Sequence, residues 1–148
     1  MGADIYLNGI GKHFRNSYND SDVMWAMGLS WWGTVGLMLD PNGRLPVQRA
    51  RELVALIEER PLTEERLTEH CMRNMCAGGG EPPTTDPFEI LAVSSRELPE
   101  GTGLCFPAGI RLGPPYDVWT RFLRRRREDL IAILRKSIER DEPLDCSL

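Results

Sequence analysis

Histidine is scarce in this 148-residue chain, which holds only two, and that shortage is the first limit on its chemistry. Acid–base and nucleophilic catalysis need a titratable group held against a Ser, Cys or carboxyl partner. His13 falls in an early turn region and His70 in an expected helix. G-x-S-x-G, H-E-x-x-H and the H-x-E with P-C-x-x-C of zinc deaminases are all missing. The sequence therefore nominates no catalytic residue and implies no cofactor. A Cys and a His brought together only in space is the one enzymatic arrangement left open.

Cysteine is also sparse: there are four, with no C-x2-C pair of the kind structural zinc uses. Cys71 and Cys76 form C-x4-C beside His70. Positions five apart on a helix lie about 140° around its axis, which aims them away from one metal. No metal site is assigned, and the four are expected as reduced thiols. A membrane-length apolar run is missing as well. Residues 23–39 carry no charge but fall short of the roughly 20 apolar residues that span a bilayer, include Gly28, Gly33 and Gly36, and are bounded by Asp22 and Asp40. The opening residues lack a basic region and an apolar signal core, so a cytoplasmic chain without membrane contact is expected. Met-Gly-Ala-Asp-Ile-Tyr places Tyr6 where a myristoylation signal needs Ser or Thr.

What is present fits one globular domain: 41% hydrophobic and 27% charged residues over a length that buries a substantial core. The net charge of −4 gives no general attraction to duplex nucleic acid. Its distribution is uneven. Residues 1–110 hold 9 Lys and Arg against 15 Asp and Glu, whereas 111–148 hold 9 against 7. Any anion-binding surface is thus expected near the C-terminus.

Residues 23–39 are the expected centre of the core, with Trp25, Trp31, Trp32, Met24, Met27 and Met38 among them. Before them, Ala3, Ile5 and Leu7 alternate with Asp4, Tyr6 and Asn8, the period of a strand with one buried face. Asn8-Gly9 reads as a tight turn, leading either to a hairpin through Phe14 or to an irregular loop. Gly9-Ile10-Gly11-Lys12 falls short of a phosphate loop, because His13 stands where Ser or Thr would meet magnesium. Asn19, Asp20 and Ser21 offer N-cap oxygens, and the spacing predicts a helix at least to Ser30 with a break near Gly33. At least two of the three tryptophans are expected to be largely buried. Asp40-Pro41-Asn42-Gly43 then makes a turn.

From Pro46, the residues Val47, Ala50, Leu53, Val54 and Ile57 form one apolar stripe of an amphipathic helix. Arg60-Pro61 ends it. Thr63 starts another, expected to run to about Cys76 with Leu67, Cys71 and Met75 inward. Residues 77–87 are rich in Gly and Pro and read as a flexible loop within a single domain spanning 1–148. Residues 88–95 fit a strand or a short helix equally, and 98–115 read as a loop with a short strand near 110–112. A long helix is predicted from Tyr116 to about Arg140, with Trp119, Leu123, Leu130, Leu134 and Ser137 in line and Phe122 and Ile133 on the shoulder. Arg121, Arg124 and Arg125 point away from that stripe. Arg126 lies close to it and needs an acid, a carbonyl or a bound anion for its head group.

The fold class expected is α+β, mainly α: an N-terminal strand or hairpin packed with about four helices, the last long and basic. Candidate binding residues are Tyr18, Trp31 and Trp32, since adjacent tryptophans on a helix diverge by about 100° and one of them can reach the surface. Arg121, Arg124, Arg125 and Arg126 join them, because guanidinium groups meet phosphate or carboxylate oxygens two at a time. A solvated helix face explains the same arginine run. The opening Met-Gly-Ala-Asp-Ile-Tyr, the stretch from Ser17 to Trp32, the run from Arg124 to Arg127 and the closing Glu-Pro-Leu-Asp-Cys-Ser-Leu resemble small uncharacterised proteins of bacteria and their phages. That resemblance implies no known activity; it implies an accessory protein such as a phage counter-defence factor. The function expected is non-enzymatic binding that masks a protein partner. Sequestration of a small phosphorylated ligand or nucleotide is the alternative, and oligomeric state is open.

Overall fold

The computed structural model describes residues 2–17, 22–67, 70, 104–105, 111–112 and 116–148. They form an α+β fold in which a four-stranded antiparallel sheet, in the order β2 (Lys12–Ser17), β1 (Gly2–Leu7), β6 (Leu144–Ser147) and β3 (Arg44–Leu45), packs against helices. Strand β1 (Gly2–Leu7) carries the expected alternation: Ala3, Ile5 and Leu7 are fully buried. It pairs with β2 (Lys12–Ser17) in a hairpin that sets Ile5 opposite Phe14. The connection is not the two-residue Asn8-Gly9 turn. A 3-10 turn over Asn8–Ile10 is closed by Gly11 at φ +63°, and the Gly9 N–H donates to the Glu142 carboxylate at 2.5 Å. A Cβ at position 9 would displace that carboxylate and cost the fold this contact.

Strands β3 (Arg44–Leu45) and β6 (Leu144–Ser147) carry no signal in the sequence pattern. β6 inserts beside β1, with Ile5 opposite Cys146, and β3 pairs with its far edge. Two to four residues are too few to display an alternation. Side chains secure them instead: Asp145 receives Arg44 Nε at 3.0 Å and the amide of Asn8.

The uncharged stretch 23–39 corrects the expected helix. α1 is one turn, Val23–Ala26, capped by Asp22 rather than by the three residues before it. It stops because Gly28 takes φ +73°, the Gly28 N–H reaches the Trp25 carbonyl and the Leu29 N–H reaches the Met24 carbonyl, the paired bonds of a Schellman ending. The chain then re-enters a wide turn over Trp31–Val35, in which the Gly36 N–H returns five residues to the Trp31 carbonyl. The break is thus at Gly28, not near Gly33. Of the three tryptophans Trp31 is fully interior, Trp25 mostly covered and Trp32 exposed, which leaves two largely buried.

Helix α2 (Val47–Glu58) buries Ala50, Leu53, Val54 and Ile57. The Thr63 hydroxyl accepts from the Arg66 N–H at 3.3 Å and opens the helical turn 64–67, whose Leu67 is buried. Cys71, Met75, the loop 77–87 and the stretch 88–95 lie outside the described residues. Within 98–115, a short antiparallel pair joins β4 (Leu104–Cys105) and β5 (Arg111–Leu112). The long helix α3 (Tyr116–Arg140) packs on α2, β2 and α1 through Leu123, Leu130, Ile133 and Leu134. It ends as α1 does: Asp141 sits at φ +50°, its N–H on the Ile138 carbonyl and that of Glu142 on the Ser137 carbonyl.

Candidate functional surfaces

Asp22 organises the region that carries the tryptophans. Its Oδ1 accepts from the N–H groups of Met24 and Trp25 at 3.0 and 3.2 Å and from Trp31 Nε1 at 3.0 Å. Burial lifts this carboxyl above the ordinary aspartate range, opposed by the N–H donors of Trp25, Trp31 and Met24, which favour the anion. Trp31 is thereby fixed inside, its ring tilted against Phe14 at 6.1 Å. Trp32, one residue on, is 62% exposed and lies over Gly36. Leu37, 79% exposed, follows on the same segment. The adjacent tryptophans therefore divide into a core residue and a surface residue.

The arginines of α3 do not form one anion-binding face. Arg127 donates to the Ile57 carbonyl at 2.9 Å, in the last turn of α2 where cations are favoured, and Arg124 to the Leu62 carbonyl at 3.4 Å in the segment that follows. Arg124 also pairs with Glu64 at 3.6 Å. Arg126, as its position near the apolar stripe requires, finds an acid, Asp129 on the next turn. Its guanidinium lies 5.0 Å from the Phe122 ring and 6.0 Å from the Phe14 ring, with Asp129 at 3.9 Å. Arg121 and Arg125 are exposed. Tyr18 lies outside the described residues. Among those residues, no hydrogen bond, ion pair or ring contact joins Trp32 to the arginines.

A cleft with no motif in the sequence to mark it lies at the end of α1. It has a volume of about 200 Å³ and is lined by Trp25, Ala26, Met27, Gly28, Arg60, Arg66 and His70. The ring of His70 meets the Trp25 ring edge-on at 5.4 Å. Arg66 donates to the Met27 carbonyl at 3.1 Å. The Arg60 side chain makes no hydrogen bond or ion pair with the described residues, and its Nε is buried. Neither arginine belongs to a spacing motif, and the only trace in the sequence was Arg60 beside the helix-stopping Pro61.

Among the described residues, groups with reactive chemistry are dispersed. His13 Nε2 lies 3.0 Å from Asp4 and its ring stacks on Tyr6 at 4.4 Å, an exposed cross-strand cluster on the outer face of the hairpin. Burial pushes the Cys146 thiol up to about 12, a direction opposed by the Leu45 N–H and reinforced by Asp145. It is therefore a thiol, not a nucleophile, at neutral pH. Among the described residues no three His, Cys, Asp or Glu side chains gather as a metal site would require, and no helix is long and apolar enough to cross a membrane. Comparison with known proteins finds no matching family, no matching curated relative and no matching solved structure.

Proposed function

We propose that this chain is a binding protein that docks on a protein partner through the surface formed by Trp32 and Leu37, and acts by masking it. The observation that carries this reading is their exposure: at 62% and 79% they are the two most exposed large apolar side chains among the described residues, and they share one short uncharged segment. An exposed tryptophan with a second apolar side chain five residues on is a candidate interface anchor, since tryptophan is enriched among the residues that carry binding energy. Rigidity comes from the Ser30 hydroxyl, which accepts from the Gly33 N–H at 3.1 Å, and from the wide turn that follows. Covering each side chain is worth about 1.5–3 kcal/mol, and a preorganised segment loses little of that to ordering. The arginine run supports a docking role less well, since Arg124 and Arg127 already serve carbonyls of the fold.

Site-specific photocrosslinking in the native cells tests the proposal. A probe at Leu37 is expected to capture one recurring protein, captured also from Trp32 and not from Gln48 on the exposed side of α2. Equal capture from Gln48, or capture from Trp32 that survives Leu37→Asp, would refute it.

A further inference from the structure

The cleft at the end of α1 has a composition that apolar docking does not account for. Two guanidinium groups line it and, among the described residues, no carboxylate does. A partly buried guanidinium without a counter-charge is costly, and the cost falls when an anion enters beside it. Arg60 is in that position: it has no hydrogen-bonding or ionic partner among the described residues and its Nε is buried. Arg66 faces the same space and is held there by a single bond to the Met27 carbonyl, which leaves other donors of its fork available. The remaining wall is aromatic and backbone. Trp25 and His70 brace each other edge-on, and Gly28 turns the backbone away at φ +73° with Arg60 Nη1 about 4.0 Å from where a Cβ would stand.

We propose that this cleft binds the phosphoryl group of a phosphate-bearing small molecule between Arg60 and Arg66. Forked donors from two arginines match the tetrahedral array of phosphate oxygens better than a lone planar carboxylate. Volume limits what enters. About 200 Å³ equals roughly seven waters of the liquid, enough for a phosphoryl group and its first linkage but below the ~300 Å³ at which drug-sized ligand pockets begin. The rest of the molecule therefore projects outward past Trp25. This site uses none of the residues of the Trp32 surface, so either assignment stands or falls without the other.

The test uses the whole chain with inorganic phosphate, ribose 5-phosphate and AMP as probes, followed by thermal shift and tryptophan fluorescence, with chloride at matched ionic strength as the control. At least one phosphate probe is expected to give saturable stabilisation. A phosphate ester stronger than inorganic phosphate places the ligand among small phosphorylated metabolites; the reverse order places it as free phosphate. Arg60→Gln is expected to weaken binding about tenfold or more, and Arg60→Lys less, because it keeps the charge but loses the fork. Without ligand, Arg60→Gln should melt no lower than wild type, since Arg60 is partnerless in the described fold. Arg125→Gln, on the exposed face of α3, should bind as wild type. The proposal is overturned by no saturable shift with any probe, by Arg60→Gln binding unchanged, by an equal loss in Arg125→Gln, or by a large drop in the ligand-free melting temperature of Arg60→Gln.

Discussion

Replacing Asp22 tests the account of how the tryptophan segment is held. One carboxylate oxygen serves two backbone N–H groups at the start of α1 and the indole N–H of buried Trp31. Asp22→Ala removes the cap, worth about 1 kcal/mol, and strands an indole donor inside the protein, worth a further ~1–3 kcal/mol. The expected loss is about 2–4 kcal/mol, or roughly 5–15 °C in melting temperature for a domain of this size. Asp22→Asn keeps an acceptor oxygen in the same place and should cost less than about 1 kcal/mol. The pair also predicts a pH dependence. The folded-state pKa of Asp22 is raised from 3.8 by burial, so the folded state holds that proton more tightly than the unfolded state does. Stability from this group is fully present below 3.8 and is lost as pH rises through the raised folded value. Urea denaturation of wild type and Asp22→Asn, from neutral pH down to about pH 3.5, should therefore show wild type gaining on the variant as acid is added. An Asp22→Ala protein as stable as wild type would sink the hub assignment. Wild type losing ground to Asp22→Asn in acid would show that the N–H donors outweigh burial and that the carboxylate is net favourable.

The adjacent tryptophans should respond unequally. Trp31→Ala is expected to cost about 3–5 kcal/mol and Trp32→Ala much less, as read by chemical denaturation, and equal losses would contradict their different burial. At the end of α3, Asp141→Gly should raise stability by about 0.5–1 kcal/mol, because position 141 has the left-handed conformation of a Schellman ending; a lower melting temperature would mean that the aspartate carboxyl does more there than the backbone geometry accounts for.

Elements with a local period were legible in the sequence. The alternation of Ala3, Ile5 and Leu7 marked β1, the stripe from Ala50 to Ile57 marked α2, and Leu123, Leu130 and Leu134 marked the buried line of α3. Features fixed by distant partners were not. β6 depends on β1 and β3, and nothing in Leu-Asp-Cys-Ser announces a strand. Gly28 read as a tolerated glycine inside a helix. Its role as a helix end emerges only with the bonds that Leu29 and Gly28 make back to Met24 and Trp25. Of the candidate binding residues, the divergence of Trp31 and Trp32 was readable in kind, though a wide turn produces it rather than a regular helix. The arginine run drew attention by its density, while Arg60 and Arg66, separated in sequence and joined only by the fold, did not.

The placement of β6 beside β1 has a mechanical consequence. The two strands run antiparallel with Asp4 opposite Ser147, so Gly2 and Ser147 emerge at the same end of the same pair of strands. A load applied between those two residues would peel the pair open one rung at a time instead of shearing all its hydrogen bonds together. The first interior contact it reached would be Ile5 against Cys146, next to the clasp in which Asp145 holds Asn8 and Arg44. Tension at that end would thus strip β6 from β1 while the contact of α2 with α3 still held.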